Sequence, residues 1–431
     1  MKVGFLSLGC SKNLVDSEKI MGMLRSAGHI LVSDPRHAEA IIINTCGFIN
    51  PAKEESINTI FEMTRYADKI IVVGCLAQRY EDELREQIPE ITAVVPIRDY
   101  DKLPEILHDL LDAKDEGNKP YLKEGRVVSG NPWSAYIKIS DGCSNHCTFC
   151  AIPLIRGEQN SRLVSEVREE AEYLASKGVR EITLIAQDTT KYGLDNYGQL
   201  KLAELIRELD KLENVHWIRI LYMYPDEIED ELLEAMKESS KVVPYFDIPI
   251  QHASNRLLKK MNRRGTKEDV RALTRKIRAM FPEAVLRTTI ITGFPSETEE
   301  DFEELLDFIK EVRWDRLGGF TYSREEDTPA YLMPEEVDEA VAADRLNRLM
   351  AVQKEISKES NLKKVGKVIE VLVEEKEGLT DRYHGRSAAD APDEVDGQVV
   401  FTSNQPIELG TFVPVRITDA TQYDLIGIYE G

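Results

Sequence analysis

The stretch AYIKISDGCSNHCTFC, residues 135–150, decides how the chain is read. It begins as a β-like run, Ala135 to Ile139, and then presents Cys143, Cys147 and Cys150, with three and then two residues between them. Three thiolates so close together form a cage for one cubane. They satisfy three irons of a 4Fe-4S cluster and leave the fourth with an open coordination position. A structural zinc site wants four closed ligands. His146 is the nominal fourth, but it adjoins Cys147 and would have to turn back sharply to join the set.

Working outward, five more strand candidates follow: Glu181 to Ala186, Trp217 to Tyr222, Val242 to Ile248, Leu286 to Ile291 and Leu317 to Thr321. Helical stretches separate them, one opening at Thr298 with Asp301 three residues on, a close relative of the capping box. Six β/α units are too few for a closed eightfold barrel. They suit an open partial barrel, a TIM-like (βα)6 unit whose working groups lie at the strand carboxyl ends.

Upstream, Val3 to Leu8, Ala40 to Asn44 and Ile70 to Val73 alternate with helical patterns, the signature of an open parallel α/β sheet. Asn50 before Pro51 reads as a helix N-cap, and Gly28 sits where a helix beginning near Asn13 would stop. The polar segment from Asp112 to Gly130 lacks periodicity and marks a boundary. Downstream of a charged helix ending near Lys364, the short strands Val368 to Val373, Gln398 to Phe401, Thr411 to Ile417 and Leu425 to Ile428 imply a small antiparallel β-barrel. The α/β chain thus divides into residues 1–125, 130–360 and 362–431, in line with a prior of roughly 150 residues per domain.

The other three cysteines lie far apart in sequence but fall at equivalent places. Cys10 follows the first strand (LSLGC), Cys46 the second (IIINTC) and Cys75 the third (IVVGC). In an open parallel sheet those strand ends share one edge, where ligand sites form, so the three thiols are expected to converge. The competing account, three unrelated buried cysteines, needs the same coincidence at three successive strands.

The N-terminus MKVGFLSLGC lacks the basic and apolar regions of a secretory signal, and no apolar run approaches a membrane span, so a cytoplasmic protein is expected. In that compartment cysteines stay reduced, which favours metal binding over disulfides for all six. Lysine and arginine total 55 against 77 aspartate and glutamate, a net charge of −22, so the average surface repels phosphate backbones.

CxxxCxxC with Phe149 before its last cysteine resembles the defining motif of the radical S-adenosylmethionine (SAM) superfamily. Together with the N-terminal cysteine domain and the C-terminal barrel, which resembles a TRAM domain, the whole chain resembles the methylthiotransferases. That resemblance implies two 4Fe-4S clusters, on Cys143, Cys147 and Cys150 and on Cys10, Cys46 and Cys75, with SAM chelated at the open iron of the first. It also implies Phe149 near the adenine, a SAM pocket that includes Gly293 of Ile291-Thr292-Gly293-Phe294-Pro295, and roles in cofactor binding for Gln187, Asp188 and Arg287. Arg287 is expected on a strand pointing toward the barrel mouth. Arg156 and Arg162, after the cluster loop, are candidates for a bidentate fork to a carboxylate.

The runs Ala186-Gln187-Asp188-Thr189-Thr190, Tyr245 to His252 and Tyr322 to Thr328 resemble the RimO type. That branch modifies ribosomal protein twelve of the small subunit, free or in the assembled subunit, at the β-carbon of an aspartate; the MiaB type, acting on tRNA adenosine, usually shows a GQNV-like run where AQDTT stands. Asp188 is therefore discriminating, although it also suits a helix N-cap at the strand exit. A TRAM domain is associated with RNA, but residues 362–431 carry seven basic against thirteen acidic side chains, which weakens phosphate contact and favours a basic protein over tRNA. Asp393, Glu394 and Asp396 cluster beside a turn there, a partner surface or a solvated loop.

The expected reaction uses two SAM molecules, one as methyl donor and one as radical source, with a reductant such as flavodoxin or ferredoxin. Neither the residues nor the resemblance identifies the sulfur donor. The rivals are the tRNA enzyme and a non-catalytic iron-sulfur or zinc protein.

Overall fold

The computed structural model describes residues 1–111, 125–392 and 395–431. It divides into two compact units. One comprises Met1–Gly130, Asp141–Asn160 and Ser323–Tyr331, and the other Asn131–Ser140, Ser161–Tyr322 and Leu332–Gly431. Most of the expected boundary from Asp112 to Gly130 lies outside the described residues, as do Asp393 and Glu394.

The first unit is built on a five-stranded parallel sheet of β1 (Lys2–Ser7), β2 (Ile30–Val32), β3 (Ala40–Thr45), β4 (Lys69–Gly74) and β5 (Ala93–Pro96), in the order β2-β1-β3-β4-β5. Every residue of β3 is buried, as its unbroken AIIIN run requires of a central strand covered on both faces. Helix α1 (Ser11–Ser26) packs on one side through Ile20, Met23 and Leu24; α2 (Asn50–Met63) packs on the other through Ile60 and Met63. Strands β2 and β5 were not expected; both are short, and β2 is half exposed at the sheet edge. Gly28 follows α1 with φ +93°, the left-handed stop that the sequence implies. Asn50 is not the N-cap. Ile49 occupies that position, Asn50 is the first helical residue, and its N–H is capped instead by the Glu325 carboxylate at 2.9 Å.

The second unit holds the open barrel. Its strands are β6 (Ser134–Lys138), β7 (Glu181–Ile185), β8 (Trp217–Ile220), β9 (Tyr245–Asp247), β10 (Val285–Thr292) and β11 (Arg316–Thr321), all in parallel pairings. They form two three-stranded sheets, β8-β7-β6 and β9-β10-β11, joined by a bridge between Ile218 and Val242. The expected strand from Val242 to Ile248 therefore shortens to three residues. The Thr298–Asp301 capping box forms as expected.

At the C-terminus a closed barrel runs β12 (Val368–Lys376), β13 (Arg382–Ser387), β14 (Val399–Thr402), β15 (Phe412–Ala420) and β16 (Leu425–Tyr429), in the order β12-β13-β14-β16-β15. One of its five pairings, β14 with β16, is parallel, and β13 had no counterpart in the sequence reading. This barrel sits at the amino ends of the (βα)6 strands. Phe412 packs edge-on against Trp217, and Glu181, the fully buried first residue of β7, accepts from Arg386 at 2.5 Å and Arg219 at 2.9 Å. No helix among the described residues is long and apolar enough to cross a membrane.

Candidate active site

In an open sheet ordered 2-1-3-4-5, the chain crosses over between the neighbouring strands β1 and β3, and the carboxyl ends flanking that switch point form a crevice. Cys10 caps the start of α1 just beyond β1, Cys46 directly follows β3, and Cys75 opens helix α3 (Cys75–Arg79) after β4. The three thus meet at one sheet edge. A Cβ on Gly9 would lie 3.1 Å from the Cys46 sulfur, and one on Gly74 would lie 2.2 Å from Asn44 Oδ1. Both glycines have positive φ, +89° and +97°, so the Gly-Cys pairs in LSLGC and IVVGC are what let the turns close on each other.

None of the six cysteines forms a disulfide. Cys46 and Cys75 are buried; desolvation pushes the Cys46 thiol up to about 12 and raises Cys75 as well, with Arg156 partly opposing the rise at both. Buried thiols of this kind ionise when a cation joins them, as a metal ligand must. Among the described residues no three His, Cys, Asp or Glu side chains have the spacing of a site for one metal ion. A cubane, which offers each thiolate a separate iron corner, fits an all-cysteine donor set of three far better than zinc does.

The CxxxCxxC loop belongs to the same unit. Cys75 packs against Ala151 and Ile155, just past Cys150, and the loop is closed by the Cys143 N–H to Gly157 oxygen bond at 3.0 Å. The two cysteine triads are therefore brought side by side, with Phe149 in the loop between Cys147 and Cys150. His146 turns outward to Glu158, 3.2 Å away.

Arg156 is the residue that links the triads. Its Nη1 donates to both oxygens of Asp141 at 3.0 and 2.9 Å, the carboxylate contact its position suggested, while Nη2 donates to Asn13 Oδ1 at 2.7 Å, to Asp16 at 3.0 Å and to the Cys75 sulfur at 3.6 Å. Asn13 and Asp16 lie one turn apart on α1, immediately after Cys10. Nothing in their local sequence marks them as partners of an arginine far downstream. Arg162 instead meets Glu170. A second cluster was also missed: the buried Glu325 of the Tyr322–Thr328 run accepts from Arg79 at 2.9 Å, Lys53 at 3.0 Å and Ser323 at 2.7 Å.

In the second unit, Gln187 and Asp188 follow β7. Asp188 is buried and its Oδ1 accepts from the Thr190 N–H at 3.0 Å and hydroxyl at 2.6 Å, so it organises the strand exit, but it is not a helix N-cap, since the next helix begins only at Leu194 after Gly193. Gly293, φ +78°, follows β10; a Cβ there would lie 2.3 Å from that of Ala342. Its N–H donates to Glu297, which also accepts from Arg345 Nη1 at 3.1 Å and from His252 Nε2 at 3.2 Å. Because the Ser254 N–H occupies His252 Nδ1, the ring hydrogen is on Nε2. Arg287 is third of eight residues in β10, toward its amino end rather than the barrel mouth, and donates to Asp247 at 2.7 Å. Asp396 is not part of a solvated loop: its side chain is almost fully buried and accepts from the Tyr245 hydroxyl at 2.6 Å.

Comparison with known proteins agrees with this geometry. Residues 137–309 match the Radical SAM superfamily, residues 2–96 Uncharacterized protein family UPF0004, and residues 365–429 the TRAM domain. The radical SAM methyltransferase TsrM from Kitasatospora setae covers 82% of the chain at a TM-score of 0.58 and 14% identity, a likeness of fold. Fold and site together define a radical SAM enzyme, which uses SAM and a 4Fe-4S cluster. Proteins named ribosomal protein uS12 methylthiotransferase RimO are 48% identical, that of Acetivibrio thermocellus spanning 99% of this chain and 98% of its own, and that of Clostridioides difficile 100% and 99%. The chain belongs to this RimO family of methylthiotransferases.

Proposed function

We propose that this enzyme places a methylthio group on the β-carbon of an aspartate in ribosomal protein uS12, in the cytoplasm, drawing electrons from a flavodoxin or ferredoxin. Cys143, Cys147 and Cys150 hold the SAM-binding cluster, and Cys10, Cys46 and Cys75 hold a second one. When bound, SAM and the clusters supply abstraction of an unactivated hydrogen and a methylated sulfur to take its place. Three protein thiolates at each cluster leave one corner open, which both tasks require.

The protein's own part is to hold and orient. The two triads arise from segments 133 residues apart, Cys10 to Cys143, yet stand in one compact unit with Cys75 against Ala151; that adjacency carries the reading. Abstraction from an unactivated carbon needs no general acid or base, and no nucleophile-base-orienter triad is called for. The turn at Gly293, fixed by Glu297, His252 and Arg345, and the exit loop organised by Asp188 shape the carboxyl ends of the barrel strands, and in this reading Gln187 and Gly293 contribute to the SAM pocket. The acidic charge of the chain suits a basic protein substrate better than tRNA.

Mass spectrometry of uS12 from cells lacking the gene tests the substrate. The account expects the methylthio mark to disappear; an unchanged mark would overturn it. Iron analysis tests the cofactor set: about eight irons per chain, falling to about four in a Cys10→Ala/Cys46→Ala/Cys75→Ala variant, follows from two four-iron clusters.

A further inference from the structure

We propose that Arg156 is a positioning residue that tunes the second cluster, with Asp16 as its counterweight. The inference rests on the reading of Cys10, Cys46 and Cys75 as ligands of that cluster. The Arg156 side chain is 1% exposed, and its Nη2 donates to the Cys75 sulfur at 3.6 Å. The Cys75 thiol is also 3.4 Å from Asn13 Oδ1, which it can donate to only while protonated. Once Cys75 is a thiolate ligand that donation is gone, and the Arg156 N–H remains as the donor to the sulfur.

A donor and a full positive charge beside a ligating sulfur favour the more negative, reduced form of the cluster and raise its reduction potential. Desolvation strengthens the effect, because at this burial little solvent screens the charge. Asp16 works against it: its carboxylate takes the same Nη2 at 3.0 Å and brings a negative charge to the same spot. Asp141 neutralises the guanidinium from the other side, through Nη1. Since Asp141 and Arg156 both belong to the segment carrying Cys143, Cys147 and Cys150, the segment that holds one triad also supplies the electrostatic environment of the other. A purely structural ion pair would serve folding alike with either charge pattern; a tuning pair predicts shifts of opposite sign.

The test uses the full chain with Cys143→Ala, Cys147→Ala and Cys150→Ala, reconstituted anaerobically so that only the second cluster loads, with its midpoint potential followed by electron paramagnetic resonance during reductive titration. Arg156→Gln is expected to shift the midpoint to more negative values, Asp16→Asn to more positive values, and Arg156→Lys to fall between the first and the parent, with about four irons per chain in each. An unchanged midpoint in both Arg156→Gln and Asp16→Asn, or shifts of the same sign, overturns the inference. If Arg156→Gln does not load, the Asp16→Asn shift decides alone: a positive shift supports it and none overturns it. Failure of the parent triple variant to bind a cluster at all is a different result, and it defeats the reading of the cysteines themselves.

Discussion

At the residue scale, chemistry of ligation was legible where it was local and obscure where it was assembled. The spacing of Cys143, Cys147 and Cys150 states its purpose within eight residues, while Cys10, Cys46 and Cys75 could be joined only through the shared edge of a parallel sheet. Arg156, Asn13 and Asp16 could not be joined at all, since no periodicity links residues brought together across 140 or more positions. Asp188, singled out from its AQDTT run, also has a structural role that the run does not reveal: its Oδ1 accepts from the Thr190 N–H and hydroxyl in its own loop. Asp188→Ala strands the buried Thr190 N–H and should cost about 2 kcal/mol in denaturant unfolding, whereas Asp188→Asn, which keeps an accepting oxygen, should cost much less. Gly293→Ala meets both a positive φ and the Ala342 methyl; strain and overpacking together should lower stability by about 3 kcal/mol, read as a drop in Tm.

At the element scale, strands with strong apolar runs were placed to within a residue or two, among them β3, β7 and β10. Those that rely on neighbours were not. Strands β2 and β5 are short and gain their definition from pairing with β1 and β4 rather than from their own pattern. Helix α2 illustrates the limit of capping rules: its first N–H is satisfied by Glu325, which no local signature could reveal. Burial alone would raise the Glu325 carboxyl, but Ser323, Lys53 and Arg79 hold it below the ordinary range, so it is charged at neutral pH. Glu325→Gln leaves the buried Arg79 side chain and the half-buried Lys53 without their counter-ion, a loss of about 3 kcal/mol that should appear as faster hydrogen exchange in the first turn of α2 and in residues 323–331. Unchanged exchange in both segments would remove Glu325 from this role.

At the scale of the whole molecule, the α/β class was legible, with its parallel sheet, open barrel and small C-terminal barrel, and the charge distribution was legible in sum but not in place. Asp396 was read as surface charge and is instead buried against Tyr245, while Glu181, Arg219 and Arg386 join the small barrel to the amino ends of the open one. Burial would raise the Glu181 pKa, yet Arg386 and Arg219 hold it at about 2, below the ordinary 4.5. A carboxylate depressed in the folded state contributes stability that is complete above pH 4.5 and lost as the pH falls toward 2. Docking of the two barrels, followed by limited proteolysis between them, should therefore persist at pH 5 and weaken steeply only well below pH 4. Loss at pH 5 to 6 would mean that another group controls it. The net charge of −22 bears on the partner: a basic ribosomal protein is attracted and a polyphosphate is repelled. The most direct measurement combines both claims, chemistry and substrate: the anaerobically reconstituted enzyme, with SAM and a reductant, is offered uS12 and tRNA together, and each is weighed by mass spectrometry. The account predicts the increment of one methylthio group replacing one hydrogen on an aspartate of uS12 and none on tRNA; an increment on tRNA alone, or on neither while SAM is cleaved, would contradict it.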